Sequence, residues 1–278
     1  MAPVSRGYWH HWIAMEGSFV AIGDSFTEGL DDPYPDGSFR GWADRLAEML
    51  AARDPGLRYA NLAIRGKVLR EVAEEQVPVA IGMGAELVSI AAGGNDLLRP
   101  GGDPDGLAAA FDSVVARLQE AGCRVLMFTG FDPCVFPVIR LIRGKAAAYN
   151  MHLRSIADAR GCDLVEMWSM RVLCDKRLYS VDRLHLSSEG HRRVALRAAE
   201  VLGLPVTEDW RTPLPELASA PVPAPARAAW LAARRADAEW ARLYAVPWLR
   251  RRLRGTSSGD GILAKRPELL PVNDPASA

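Results

Sequence analysis

Short apolar runs set off by longer stretches of helical period organise this chain. Five runs rich in β-branched and aliphatic residues read as strands: 19–23 (FVAIG), 57–62 (LRYANL), 86–91 (ELVSIA), 124–129 (RVLMFT) and 163–167 (DLVEM). Between and after them the apolar positions recur at helical spacing, which predicts helices near 39–53, 68–80, 104–121, 144–160 and 187–202. The last is opened by Ser187, Ser188 and Glu189 as cap-like residues. Strands that alternate with helices in this way are βαβ units, so the expected class is α/β with a parallel sheet.

The pattern stops at Leu204. Six prolines between 205 and 225 exclude a helix interior or a central strand, and we expect a surface-hugging linker over 205–229. Over 230–278 we expect an amphipathic helix and an extended tail. Trp230, Leu231, Trp240, Leu243, Tyr244, Trp248 and Leu249 alternate with arginines at roughly helical spacing up to a break or kink at Pro247, and glycines and prolines fill the last twenty-odd residues. At the other end, residues 1–15 read as a disordered leader. Met15 stands directly before a clean strand as an alternative start, which leaves 16–204 as the main folded unit.

Composition narrows the class without changing it. A chain of 278 residues that is 49% apolar and 24% charged is ordinary globular material, enough for one to two domains. Thirty-four basic residues balance thirty-four acidic ones, so no net field draws in nucleic acid, and none is expected as a partner. Cys123, Cys134, Cys162 and Cys174 are widely spaced with no C-x-x-C pair, which disfavours zinc ribbons and secreted disulfide frameworks and reads as four reduced thiols. No run of eighteen apolar residues occurs, and histidines and Arg6 stand where a signal peptide needs its apolar core; the expected location is cytoplasmic.

The candidate chemistry lies just past the strands, where ligands bind in parallel sheets. The first strand runs into Gly23-Asp24-Ser25, which puts a serine in a nucleophile's position, although glycine-serine turns also serve geometry alone. The second is followed by Arg65-Gly66, where a glycine offers its N–H to a substrate oxygen or simply makes a turn. The third ends in Gly93-Gly94-Asn95-Asp96; the asparagine caps a helix or donates its amide to an oxyanion. Asp182 precedes His185 by three residues on a loop, a spacing that lets the carboxylate orient Nδ1 and leaves Nε2 to take a proton from a serine. His191 reads as a satisfied structural histidine.

Together these blocks, GDSFTEG at 23–29, Gly66, GGND at 93–96 and DRLH at 182–185, resemble the SGNH subgroup of the GDSL esterases and lipases. The resemblance spans nearly all of 19–204. It implies a three-layer α/β/α sandwich with a five-stranded parallel sheet, flavodoxin-like, to which the C-terminal helix is an extension. It implies Ser25 as nucleophile, His185 as general base and then acid, and Asp182 as the residue that orients it. The oxyanion hole would comprise the backbone N–H groups of Ser25 and Gly66 and the side-chain amide of Asn95. No metal and no organic cofactor is implied, and no HExxH, P-loop or GxGxxG is present. Lack of G-x-S-x-G around the serine disfavours an α/β-hydrolase. The run NLAIRGKVLREV, the GGNDLLRP segment and the PWLRRRLRGTSSGDG tail are similar to an actinobacterial branch of the family.

The expected function is hydrolysis of carboxylic esters with small or medium acyl groups through an acyl-serine. One alternative is an acyltransferase that passes the same acyl group to a sugar or other alcohol, and another is a binding module on the same scaffold. Candidate substrate contacts are Phe26, Arg65, Leu97 and Arg99, with Leu30, Leu98 and the 131–142 run as further walls. The two arginines suit a substrate carboxylate or phosphate or else pair with neighbouring acids. The 131–142 run reads either as a lid or as a packed loop leading into a helix. The partner is a small-molecule ester. The Trp/Arg stripe braces the catalytic unit, or else lies on a membrane surface or covers the cleft mouth.

Overall fold

A computed structural model describes residues 17–136, 139–216, 226–254 and 256–272; the expected leader and residues 217–225 of the proline-rich stretch lie outside them. β1 (Ser18–Gly23) leads into a one-turn helix, α1 (Ser25–Glu28), and then α2 (Gly41–Ala51). β2 (Arg58–Asn61) is followed by α3 (Leu69–Glu71), which continues through a π-helical turn at Val72–Gln76 into α4 (Val77–Gly82). β3 (Leu87–Ala91), α5 (Gly94–Leu97), α6 (Pro104–Glu120), β4 (Arg124–Phe128), α7 (Arg143–Arg160), β5 (Asp163–Val165) and α8 (Ser188–Val201) complete the alternation.

Every residue of β1 is buried, because it lies mid-sheet and helices cover both faces. Phe19 and Ala21 point into one core with Trp42 and Leu46 of α2 and Val194 of α8. Val20 and Ile22 point into the other with Phe111 of α6 and Leu153 of α7. Period-two alternation along one strand thus feeds both layers of the sandwich. Ser187 caps α8 by accepting from the N–H of Gly190, as its sequence signature indicates.

The sheet has six strands rather than five, in the order β5-β4-β3-β1-β2-β6. The added strand comes from the tail. Beyond α9 (Ala226–Trp240), a π-helical turn (Ala241–Ala245) and α10 (Val246–Leu253), the chain returns as β6 (Arg266–Pro271) and pairs antiparallel with β2. Pro267 and Pro271 argue against a strand in sequence, yet an edge strand tolerates proline because one of its sides needs no ladder bonds. Lys265 fixes the return: its partly buried ammonium donates to the carbonyls of Phe39 and Arg40 at 2.8 and 2.7 Å and pairs with Asp44 at 2.9 Å.

Residues 205–216 pack against α8. Trp210 is buried and its indole donates to Glu200 of α8 at 2.7 Å, while Arg193 donates to the carbonyls of Asp209, Trp210 and Thr212. The packed unit therefore runs past Leu204, and α9 begins at Ala226, inside the expected linker. Among the described residues no helix is long and apolar enough to cross a membrane.

All four cysteines are free, but the fold brings together a pair that spacing does not reveal. Sγ of Cys134, on the loop after β4, is 2.9 Å from Sγ of Cys174, forty residues away. Treatment with glutathione disulfide should join these two, with two hydrogens (two protons and two electrons) passing from the chain to the oxidant and release of two glutathione thiols. Peptide mapping should find Cys134 linked to Cys174 and Cys123 and Cys162 still free; a link through either of the latter, or none, would refute the juxtaposition.

Candidate active site

The C-terminal ends of β1, β2 and β3 and the 179–186 loop converge on one cleft. Gly23 ends β1 at φ +148°, and a Cβ there would stand 2.3 Å from the carbonyl oxygen of Ala91, so only glycine fits beside β3. Its peptide is clamped by Gln76, which accepts from Gly23 N at 2.8 Å and donates to Gly23 O at 2.9 Å. Gln76 ends the π-helical turn, and the extra residue of that turn aims its amide inward. Asp24 caps α1 by accepting from the N–H of Phe26 at 3.1 Å. Ser25 is the first residue of α1, so its own N–H has no partner within the helix.

The DRLH loop is held by its own aspartate. Asp182 Oδ1 accepts from the N–H groups of Leu184 and His185 at 2.9 and 3.0 Å, and Ser180 N donates to His185 O at 2.9 Å. Oδ2 of the same carboxylate lies 2.5 Å from His185 Nδ1. On the far side of the ring, Nε2 lies 2.9 Å from Ser25 Oγ. This pattern assigns the proton to Nδ1 and leaves Nε2 to accept from the serine. The three side chains named from sequence lie in one continuous line of contacts.

Electrostatics favour that arrangement. Burial opposes the charged imidazolium of His185, but the hydrogen bond and charge of Asp182, with Asp31 and Asp24 adding, outweigh it and raise the pKa. Burial likewise opposes ionisation of Asp182, and the bonds from His185 and Leu184 overturn it, holding that carboxyl far below the usual range. Asp24, buried with only the Phe26 N–H, His185 and Asn95 to offset the lost water, is pushed up to about 6. His191 goes the other way: burial drives it down to about 4, and it is a neutral bridge between Trp42 N and Leu30 O.

Gly66 and Asn95 both reach the cleft. Gly66 has φ +77°, and a Cβ on it would stand 2.1 Å from Ser257 Oγ, so the tail packs directly on this turn. The Asn95 amide is already engaged, donating to Asp24 Oδ2 at 3.2 Å and Lys67 O at 3.0 Å; an oxyanion would have to displace one of these partners, of which the Asp24 contact is the longer.

Two cavities meet at Ser25 and His185. One, of about 180 Å³, is lined by Phe26, Leu97, Phe128, Phe131, Leu153 and Met167. The other, of about 360 Å³, lies toward the tail and is walled by Leu30, Gly66, Asp182, Trp240, Tyr244 and Trp248. Phe26 and Leu97 therefore stand where the sequence suggests. The arginines differ: Arg65 lines the larger cavity, but its backbone N–H and Nε donate to Glu28 and its guanidinium pairs with that carboxylate, whereas Arg99 is exposed and lines neither cavity. The loop after β4 is a packed wall as far as Phe136, with Asp132 held by Arg143 and with Phe131 and Phe136 edge-on to Tyr179. Sequence reasoning missed Gln76 and Ser180, and it named Trp240 only as part of the aromatic stripe, without its bond to Asp182. Of the two missed residues only the glutamine left a signal, as a polar residue on an otherwise apolar helical face.

Similarity to solved structures agrees with this architecture. An acetylxylan esterase from Geobacillus stearothermophilus superposes with a TM-score of 0.59 at 21% identity, over 69% of this chain and 97% of that one. An alpha/beta hydrolase enzyme from the metagenome of Lake Arreo, Spain, gives 0.57 at 23% identity over 67% and 94%. TesA gives 0.55 at 22% over 66% and 97%. At these identities the likeness is one of fold. Comparison with curated proteins returns no match. Residues 21–193, which hold every strand-end block and the Asp182–His185 loop, match the GDSL-like lipase/acylhydrolase family, and the chain belongs to that family.

Proposed function

We propose that the protein is a serine hydrolase of carboxylic esters, with Ser25 as nucleophile, His185 as base and then acid, and Asp182 as its orienting partner. The observation that carries this is the unbroken contact from Asp182 Oδ2 through both ring nitrogens of His185 to Ser25 Oγ. Esterase activity of the acetylxylan esterase, whose fold this chain shares, agrees with the reading.

Ser25 Oγ attacks the ester carbonyl carbon while its proton passes to Nε2 of His185. The carbonyl oxygen takes up the electron pair and faces the N–H groups of Ser25 and Gly66 and the amide of Asn95. Collapse breaks the bond to the alcohol, which leaves with the proton from Nε2. Water then gives a proton to the same nitrogen as its oxygen bonds to the acyl carbon, and collapse breaks the bond to Oγ, which takes the proton back from Nε2 and leaves the acid and free Ser25. The apolar cavity holds the acyl chain, and the cavity under the tail holds the alcohol.

Ser25→Ala and His185→Ala should abolish turnover of p-nitrophenyl butyrate, and Asp182→Asn should lower kcat by about 10⁴-fold. Retained activity in folded Ser25→Ala protein would refute the assignment. Only neutral His185 accepts the proton, and its pKa is raised, so activity should fall as pH drops through a value above the ordinary ~6.5 of histidine. A pH profile of kcat/KM with its acidic limb below that value would contradict the charge arrangement.

Acyl length supplies a further check. Each methylene that enters the apolar cavity should add roughly 0.8 kcal/mol of transition-state binding, or about fourfold in kcat/KM. Rates on p-nitrophenyl esters should therefore climb from acetate into the medium-chain range and then drop when the cavity is full. A series that peaks at acetate would overturn the placement of the acyl chain.

A further inference from the structure

We infer that Trp240, on the C-terminal helix α9, is a positioning residue of the hydrolytic reaction and acts through the Asp182–His185 loop. The inference rests on the serine-hydrolase reading but is testable apart from it.

Three contacts carry it. The indole Nε1–H of Trp240 donates to the backbone carbonyl of Asp182 at 2.8 Å. The guanidinium of Arg183, the next residue, lies over the Trp240 ring at 5.2 Å from its centroid. Arg183 Nη1 also donates to Asp237 Oδ1, one turn earlier on α9, at 2.7 Å. Arg183 is at φ +60°, a left-handed conformation that a residue with a Cβ adopts at a cost. That kink turns the chain between Asp182 and His185 so that one carboxylate reaches both the backbone N–H and the ring Nδ1 of His185.

A strained residue needs contacts that over-determine it. Within the loop the Asp182 carboxylate and Ser180 supply some, and α9 supplies the rest from outside, holding the carbonyl before Arg183 and the side chain of Arg183 itself. Without the indole bond the loop should sample conformations in which Asp182 and His185 part. The groups facing the His185 imidazole are Asp182, Asp31 and Asp24, which favour its protonated form, and neutral His191. Loosening the first of these should bring His185 back toward its ordinary pKa, which is downward.

The test is Trp240→Phe, which keeps an aromatic ring under Arg183 and deletes only the donor. Asp237→Asn is a second variant, which weakens the Arg183 pair and leaves the tryptophan. Trp230→Phe is the control, a largely exposed residue on the same helix. Truncation is unsuitable, since β6 is part of the sheet and Lys265 pairs with Asp44 of α2. In each full-length protein one measures kcat and KM on p-nitrophenyl butyrate and titrates His185 by imidazole NMR, assigned with His185→Gln.

We expect Trp240→Phe to lower kcat about three- to tenfold with KM nearly unchanged. The His185 titration should move to lower pH, Asp237→Asn should show a smaller shift of the same sign, and Trp230→Phe none. A lowered melting temperature with kcat and the titration unmoved would make α9 a brace and overturn the inference. If Trp240→Phe does not fold, the same readouts from Asp237→Asn decide, and their absence there overturns it. If wild type hydrolyses no ester while the titration still shifts as expected, the positioning stands and the hydrolase reading fails.

Discussion

The carboxylate of Asp182 is the junction on which the site depends. One oxygen takes the N–H groups of Leu184 and His185 and so shapes the loop; the other takes Nδ1 of the imidazole and so aims the ring. Bonds of this kind to an ionised acceptor are the strong ones, and they reverse the penalty of burying the charge. Loop shape and histidine orientation are therefore one interaction, not two. Removing the charge would loosen the turn and the ring together.

Opposite that loop the nucleophile is fixed by an independent device. Gln76 satisfies both ends of the Gly23 peptide, and Asp24 caps the helix that Ser25 begins. Glycine at position 23 lets β1 run hard against β3, and a buried peptide at such a place must find partners within the protein. The π-helical turn that aims Gln76 spends regular helix geometry to meet that need. Serine and histidine, 160 positions apart in the chain, thus arrive from opposite sides on separately braced supports.

Much of this is legible in sequence because parallel strands and their helices are local patterns. The five strands of the parallel sheet and the five long helices of the sandwich announce themselves through apolar period, and the catalytic candidates through short blocks at strand ends. What escapes is pairing between distant segments. Trp240 and Asp182 are 58 residues apart, and nothing in either neighbourhood names the other. Arg65 stands next to a candidate oxyanion donor, which suggests a substrate anion, while its actual partner, Glu28, lies 37 residues upstream. β6 hides behind its prolines because only the edge position of the strand makes them harmless.

Burial displaces the site's acids and bases in opposing directions, and the signs decide what pH does to the fold. Asp24, raised from 3.8 to about 6, stabilises the folded state at low pH and loses that contribution as pH climbs through 6. His191, lowered from 6.5 to about 4, does the reverse: the unfolded chain binds a proton in that interval and the folded one does not, so stability is lost as pH falls from 6.5 toward 4. The two slopes cover nearly the same window and oppose each other. Asp182, held far down, withdraws its contribution only below the ordinary aspartate value. His185, raised by Asp182, contributes fully below its unfolded pKa and fades as pH rises through the folded one. The site can therefore keep a displaced acid and two displaced histidines beside the serine while the slopes of Asp24 and His191 oppose each other between pH 4 and 6, and among these four groups it is His185, the one placed to take the proton, whose contribution fades at higher pH.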